Sequence, residues 1–377
     1  MSVAGGPPRG VRLPEETRLA WLRLIRSDNV GPVTFKTLIN RFGGAEAALE
    51  ALPSLAERGG RRISVTSRAA AEAEMKRAGD LGARFVCLGE PDYPPLLRQV
   101  EGAPPVLAIM GEAAVFARPA LAVVGARNAS LSGIKLARML ASETGSAGYV
   151  VVSGLARGID AAAHEAALST GTVGVFAGGL DRPYPKENRG LMRQIVDGRG
   201  CLVSEMPFGW EPRAIDFPRR NRLVAGLCLG LLVVEAAMRS GSLISARLAG
   251  ELGRLVFAVP GSPLDPRAAG TNRLIKDGAI LVTSSEDLIS ALRPLDARMG
   301  DAGTGEIEEP EGAEPVEEPA EGERERIVEA LGPTPVSVDD IIAHTGASPG
   351  AVQLVLLELD LAGRLERHRN GHVSLIL

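Results

Sequence analysis

The chain has 377 residues, 45% of them apolar and 23% charged, which is material for two or three domains of about 100–200 residues and excludes a disordered or fibrous protein. Three dispersed cysteines, Cys87, Cys201 and Cys228, exclude a disulfide framework and a zinc cluster, and fit a reducing cytosol. The formal charge of −4 is unevenly spread: residues 301–323 carry ten acidic groups and no basic one, residues 324–377 sum to −2, and residues 1–300 are left at +8, a sign that suits a polyanionic partner.

The first stretch, MSVAGGPPRGVRLP, lacks the hydrophobic segment of a signal peptide, and no run approaches the ~18–20 apolar residues that cross a bilayer. A soluble, cytoplasmic protein without a membrane partner is expected. Residues 10–90 read as a small helical domain, with apolar stripes such as Leu19, Leu22 and Ile25 or Val33, Leu38 and Ile39. The Val30-Gly31-Pro32 turn resembles the hairpin of SAM-like or helix-hairpin-helix modules, whose amides can hold a phosphate. Gly-Pro is also ordinary helix-start punctuation, so a purely structural helical cap is an equal reading.

Residues 91–300 change texture. Short apolar runs, LAVVG (121–125), YVVVS (149–153), TVGVFA (172–177), CLVSE (201–205), LGLLVVE (229–235), LVFAVPG (255–261) and AILVT (279–283), alternate with helical segments that close near a glycine. Runs that are apolar on both faces belong to buried parallel strands, which predicts an α/β, extended Rossmann-like, doubly wound and mainly parallel sheet. Residues 301–323 are Pro- and Glu-rich and read as a flexible acidic linker. Residues 324–377 read as a winged helix: a capping box at Ser337 and Asp340, a helix start at Ser348-Pro349, a stop at Gly363, and a tight Asn370-Gly371 turn between two short strands.

In such a sheet, ligands lie beyond the carboxyl ends of the strands. Four loops there are alike: Gly125-Ala126-Arg127-Asn128, Ser153 to Gly158, Arg239-Ser240-Gly241-Ser242 and Pro260-Gly261-Ser262. Each sets small residues at a helix start, where amides and the positive helix end can meet an anion. Neither G-x-G-x-x-G after the first strand nor G-x-x-x-x-G-K-[ST] occurs, which disfavours dinucleotide binding and P-loop hydrolysis. The densest basic run, Arg219-Arg220-Asn221-Arg222, follows Phe208, Trp210 and Phe217, with Tyr184 and Lys186 in the preceding loop. Only thirteen residues are Phe, Trp or Tyr, so this interleaving of rings and cations fits single-stranded nucleic acid. Asp160, His164 and Glu165 read as a helix-surface pair or cap, and no nucleophile-base set or metal-ligand spacing stands out.

Together VVGARNAS, VVSGLARGIDAAAH, FAGGLDRPYPKEN, SEMPFG, FPRRNRLVAGL, VVEAAMRSGSLISA, VFAVPGS and GTNRLIKDGA resemble the DNA-processing protein A family (DprA, also called Smf). The resemblance implies a dimeric, non-enzymatic single-stranded DNA binder that needs no cofactor, protects incoming strands and loads RecA recombinase in natural transformation. It implies DNA contacts at Arg127, Ser153, Gly154, Arg157, Lys186, Arg219, Arg220, Asn221, Arg222, Gly241 and Ser242. Ala126 stands where family members often carry Ser or Thr, removing one hydroxyl donor. The family's dimer contact corresponds to TNRLIKDGAILV.

Two other classes compete. The rim also resembles Rossmann-like phosphoribohydrolases acting on nucleoside monophosphates, with Glu235 or Asp160 as catalytic acid, although RSGSLISA replaces their P-G-G-x-G-T. A transcriptional regulator would read DNA with the third helix of the winged module, yet that helix offers Glu358 and Asp360, which phosphates repel. The module is therefore expected to contact protein, or to add a minor contribution through Arg364, Arg367 and Arg369.

Overall fold

A computed structural model describes residues 11–299, 318–320, 322–368 and 371–376. Four helices lead: α1 (Glu15–Arg26), α2 (Pro32–Phe42), α3 (Ala45–Arg58) and α4 (Arg68–Asp80). The Gly31-Pro32 pair starts α2, with proline in the first helical turn, where its missing N–H costs no hydrogen bond.

Residues 74–103 and 107–299 form one compact unit. Its nine-stranded sheet contains β1 (Ala83–Cys87), β2 (Val106–Gly111), β3 (Ala120–Val124), β4 (Val150–Ser153), β5 (Thr172–Val175), β6 (Cys201–Ser204), β7 (Gly230–Val233), β8 (Leu255–Ala258) and β9 (Ile280–Leu281). The spatial order is β1-β2-β6-β5-β4-β3-β7-β8-β9. From β6 through β9 every pairing is parallel, and β2 joins β6 antiparallel. All seven runs singled out in the sequence are strands of this mostly parallel sheet; β1 and β2 are additions.

Short α5 (Pro95–Arg98) precedes β2, and helices α6 (Leu131–Ser146), α7 (Ile159–Ala167), α8 (Arg189–Asp197), α9 (Asp216–Gly226), α10 (Gly241–Glu251), α11 (Ala269–Lys276) and α12 (Ser285–Met299) follow. Alternate strand residues feed two cores. Ala120, Ala122 and Val124 pack with α9 and α10 through Leu223, Val224, Ala246 and Ala249. Leu121 and Val123 pack with α6, α7 and α12 through Leu140, Ile159, Ala163 and Leu292. Burial on both faces is why these strands read as unbroken apolar runs. Strand β3 lies between β4 and β7, so the chain winds outward from β3 in both directions and a topological switch point opens there.

Residues 13–73 and 104–106 form the second unit together with the described residues from 318 on. The latter build a winged helix from α13 (Glu323–Glu329), β10 (Val336–Ser337), α14 (Val338–Thr345), α15 (Pro349–Leu361), β11 (Leu365–Arg367) and β12 (His372–Leu375). Ser337 Oγ accepts from the Asp340 amide at 3.1 Å and Ser348 Oγ from the Ala351 amide at 3.2 Å, so both helix starts are capped as the sequence suggests. Arg369 and Asn370, the first residue of the Asn370-Gly371 turn, lie outside the described residues, as does most of the acidic segment 301–323.

Helix α15 does not project as a groove reader. It packs on α2 and α3. Asn29 Nδ2 donates to the Leu361 carbonyl at 2.8 Å, and Thr34 Oγ1 donates to Asp360 Oδ2 at 3.0 Å. Glu358 is 1% exposed and is held bidentately by Arg324 at 2.9 and 3.1 Å. Arg364 donates to the Gly59 carbonyl and Arg367 to Asp360, so two of the three wing arginines are engaged within the unit.

Candidate nucleic-acid interface

The loops after β3, β4 and β7 leave the sheet at the switch point and are held by two carboxylates, half-buried Glu235 between the β3 and β7 loops and buried Asp160 within the β4 loop. Ser130 caps α6, its Oγ accepting from the Gly133 amide at 2.9 Å, and Glu235 in the β7 loop accepts from both the Ser130 amide (2.9 Å) and the Ser130 hydroxyl. Gly133 permits this: a Cβ there would stand 2.5 Å from the Glu235 carboxyl carbon. Asp160, buried at the start of α7, accepts from the Gly154 amide at 3.1 Å and the Ala156 amide at 3.3 Å. Burial pushes its pKa upward, opposed by Arg220 and by these hydrogen bonds. Gly158 has φ 77° and its Cβ position lies 2.3 Å from the Ala126 carbonyl oxygen, so only glycine joins the first and second loops here.

Arg220 forms the floor. Only 6% exposed, it donates through Nη1 to the Gly154 carbonyl and to the Val175 carbonyl at 2.7 Å. Burial pushes its pKa down to about 10, Asp160 opposing and Arg127 adding to the shift, and it remains a cation at neutral pH. Above it opens a cavity of about 560 Å³ whose wall includes Arg127, Asn221, Arg239, Ser240 and Arg267. Arg267 is clamped by Asp265 at 3.0 and 3.1 Å, which fixes its guanidinium. A smaller adjoining cavity shares Arg127, Gly154, Phe217 and Arg220 and adds Arg157 and Tyr184. Phe217 meets Tyr184 at 5.5 Å between ring centroids, and the Arg127 guanidinium carbon lies 5.3 Å from the Phe217 centroid. Cations and a half-exposed ring pair thus share one mouth, and Tyr184 is 51% exposed.

Residues 84–293 match the family model described as DNA recombination-mediator protein A, residues 15–77 a DprA-like N-terminal HHH domain, and residues 311–371 a DprA winged helix domain. The chain belongs to the DprA/Smf family. Protein Smf of Synechocystis is 32% identical over 378 residues, covering 91% of this chain and 95% of its own. The X-ray structure of DprA from Streptococcus pneumoniae has a TM-score of 0.61 at 32% identity, covering 74% of this chain and 98% of its own. DNA processing protein A from Helicobacter pylori, whose structure describes its binding of single-stranded DNA, has a TM-score of 0.51 at 28% identity, covering 56% of this chain and 97% of its own.

Of the residues that the family resemblance nominates, Arg127, Gly154, Arg220, Asn221, Gly241 and Ser242 line the larger cavity, and Arg157 the smaller. The geometry corrects several roles. Ser153 is fully buried and donates to the Val123 carbonyl at 2.6 Å, so its hydroxyl faces the core. The Gly154 amide is committed to Asp160, which leaves the glycine a spatial role: its Cβ position is 2.3 Å from Arg220 Nη1. Arg220 is a floor residue holding carbonyls, not an outward clamp. Arg219 and Arg222 converge on buried Glu205, the former at 3.2 Å, and Arg222 also donates to the Gly102 carbonyl at 2.9 Å. Neither lines the larger or the smaller cavity. Lys186 is exposed on a short 3₁₀ turn outside both linings.

Phe208 is buried on Phe85 at 5.9 Å, a core residue. His164 is also buried, with Nδ1 2.7 Å from Thr172 Oγ1, so it is no helix-surface partner of Asp160. Both candidate catalytic acids of the hydrolase reading, Asp160 and Glu235, hold loop amides together, work that does not require a reaction. Arg239 belongs to one of the four loops that the sequence singles out for anion binding, although the family resemblance does not name it. Arg267, in an ordinary Asp-Pro-Arg turn, carried no signal. Among the described residues no group of three or more His, Cys, Asp or Glu side chains is placed to hold a metal ion, and no helix is long and apolar enough to cross a membrane.

Proposed function

We propose that this chain is a single-stranded DNA-binding recombination mediator whose strand runs over the mouth of the cavity at the sheet's carboxyl edge. The observation that carries this reading is the convergence of Arg127, Arg239 and Arg267 on one opening beside the Phe217–Tyr184 rings. Cations from separate loops can meet successive phosphates, while flat rings suit bases that a duplex keeps stacked inside. Family membership and the single-stranded DNA binding of the Helicobacter pylori relative support it. Arg157 and Lys186 extend the path on the Tyr184 side, and Asn221, Gly241 and Ser242 form the facing wall. On this reading the chain turns over no substrate and uses no cofactor. It shields incoming strands in the cytoplasm and loads RecA recombinase onto them in natural transformation, as a homodimer joined through α11 and β9.

Anisotropy of a labelled oligo-dT against rising salt tests the binding. For single strands, log affinity falls with log salt by about 0.7 per phosphate neutralised, so a steep loss is expected. Arg127→Ala and Arg239→Ala should each weaken binding and flatten that slope by about one contact. Equal affinity for a nucleoside monophosphate, with no salt dependence, would favour the hydrolase reading instead. Recombinase filament assembly on strand coated with single-strand-binding protein tests the loading role.

A further inference from the structure

The loop between β6 and α9 builds a second flat surface that the cavity does not use. The Trp210 Nε1–H donates to Asp216 Oδ2 at 2.9 Å, and the Arg213 amide donates to the same oxygen at 2.8 Å. Arg213 lays its guanidinium over the indole, 4.3 Å from the ring centroid, with Nε 3.4 Å from the Asp216 carboxylate. Asp216 is 4% exposed, whereas the Arg213 side chain is 62% exposed, so the stack is anchored from below and open above. The loop is itself held: the Trp210 carbonyl accepts from the Gly179 amide at 3.0 Å, and the Gly209 amide donates to Asp181 at 2.7 Å. A fixed, solvent-facing planar cation on an indole is preorganised to receive another flat group, because little side-chain freedom remains to be lost. Asp216, which pins it, is the chain neighbour of Phe217 at the cavity mouth.

We infer that the Arg213–Trp210 stack is a second base-stacking platform on the single-strand path, engaged by a base beyond those at the cavity. The inference rests on the single-strand reading above and adds a site to it. A strand that leaves the Phe217–Tyr184 rings toward the N-terminal end of α9 meets this plane, whose cation also faces the phosphate spine. Asp216 acts as the positioning residue, since it touches both members of the stack and is itself covered.

The chain has two tryptophans, and Trp21 is 2% exposed against Phe35. In the full-length Trp21→Phe chain, Trp210 alone reports. Titration with labelled oligo-dT of about twenty nucleotides should quench its emission in step with the anisotropy rise. Arg213→Ala should weaken that strand at least about fivefold, as loss of one stacked base predicts. Arg213→Lys, which keeps the charge and removes the plane, should weaken it similarly. Saturating anisotropy with unchanged emission, or full affinity in Arg213→Lys and Arg213→Ala, would overturn the platform while leaving the cavity reading intact. Absence of any anisotropy change would overturn both. The fluorescence arm needs no substitution in the loop, so a variant that fails to fold does not decide the outcome.

Discussion

His164 lies fully buried in α7, and burial together with the Arg220 charge holds its pKa down at about 3, against 6.5 for a free imidazole. The native state therefore keeps it neutral while an unfolded chain protonates it below pH 6.5. Its contribution to stability is complete above that pH and is lost as the pH falls toward 3, at about 1.4 kcal/mol per pH unit. Unfolding midpoints measured from pH 7 to 5 should drop, and the drop should be shallower in His164→Asn. Side-chain burial is also what separated legible from illegible site residues. Arg127 follows an apolar strand and a glycine, so its place at the rim could be read directly. Within Arg219-Arg220-Asn221-Arg222 the sequence shows three equivalent cations. A helix advances about 100° per residue, so Arg219 and Arg222 share one side and meet Glu205, while Arg220 turns inward to the cavity floor. Which side faces the cavity depends on the strands behind it, and no local pattern reports that. The burial of Ser153 is illegible for the same reason, since its hydroxyl offers a ligand a donor on paper while the last residue of this buried strand donates it to the Val123 carbonyl.

At the scale of elements, the parallel strands were legible because both faces are buried and each is followed by a helix with a clear stop. β1 and β2 escaped because only the four-residue α5 lies between them, giving no strand-helix rhythm to follow. The module boundaries of the winged helix were equally plain, yet its use was not, because α15's partner lies far away in sequence. The closest approach there is at Gly59, where an added Cβ would stand 2.0 Å from the Glu358 carbonyl oxygen. Gly59→Ala should therefore force α15 away from the end of α3, and overpacking of this kind costs about 1–3 kcal/mol. Urea unfolding of the full chain, followed through Trp21 in a Trp210→Phe background, should show the second unit destabilised by about that amount. An unchanged midpoint would mean that the two helices can separate freely at this point.

Across the whole molecule, the cavity and both aromatic surfaces belong to the unit of residues 74–103 and 107–299. Removing residues 301–377 should accordingly leave oligo-dT affinity within a few-fold. The same truncation strips α15 from α2 and α3, so the helices of residues 15–58 should lose protection in hydrogen exchange. A hundredfold loss of strand affinity would instead assign the winged helix a direct hold on DNA. The charge split between a basic body and an acidic segment was visible in the sequence. That the helices at the start of the chain share a body with those after the acidic segment was not, because no composition records a partnership across a hydrogen-bonded pair such as Asn29 and Leu361, 332 residues apart.

That pairing sets an order of events at the ribosome. Helices α2 and α3 are made before α15, which packs on them and is encoded roughly 290 residues later, a delay of some 15–60 s at about 5–20 residues per second. Throughout that interval they lack this native cover, while the unit of residues 74–103 and 107–299 can complete itself in between. Nascent chains of this protein should therefore depend on a holding chaperone at α2 and α3, and ribosome-bound chains stalled after α15 has left the exit tunnel should no longer recruit it.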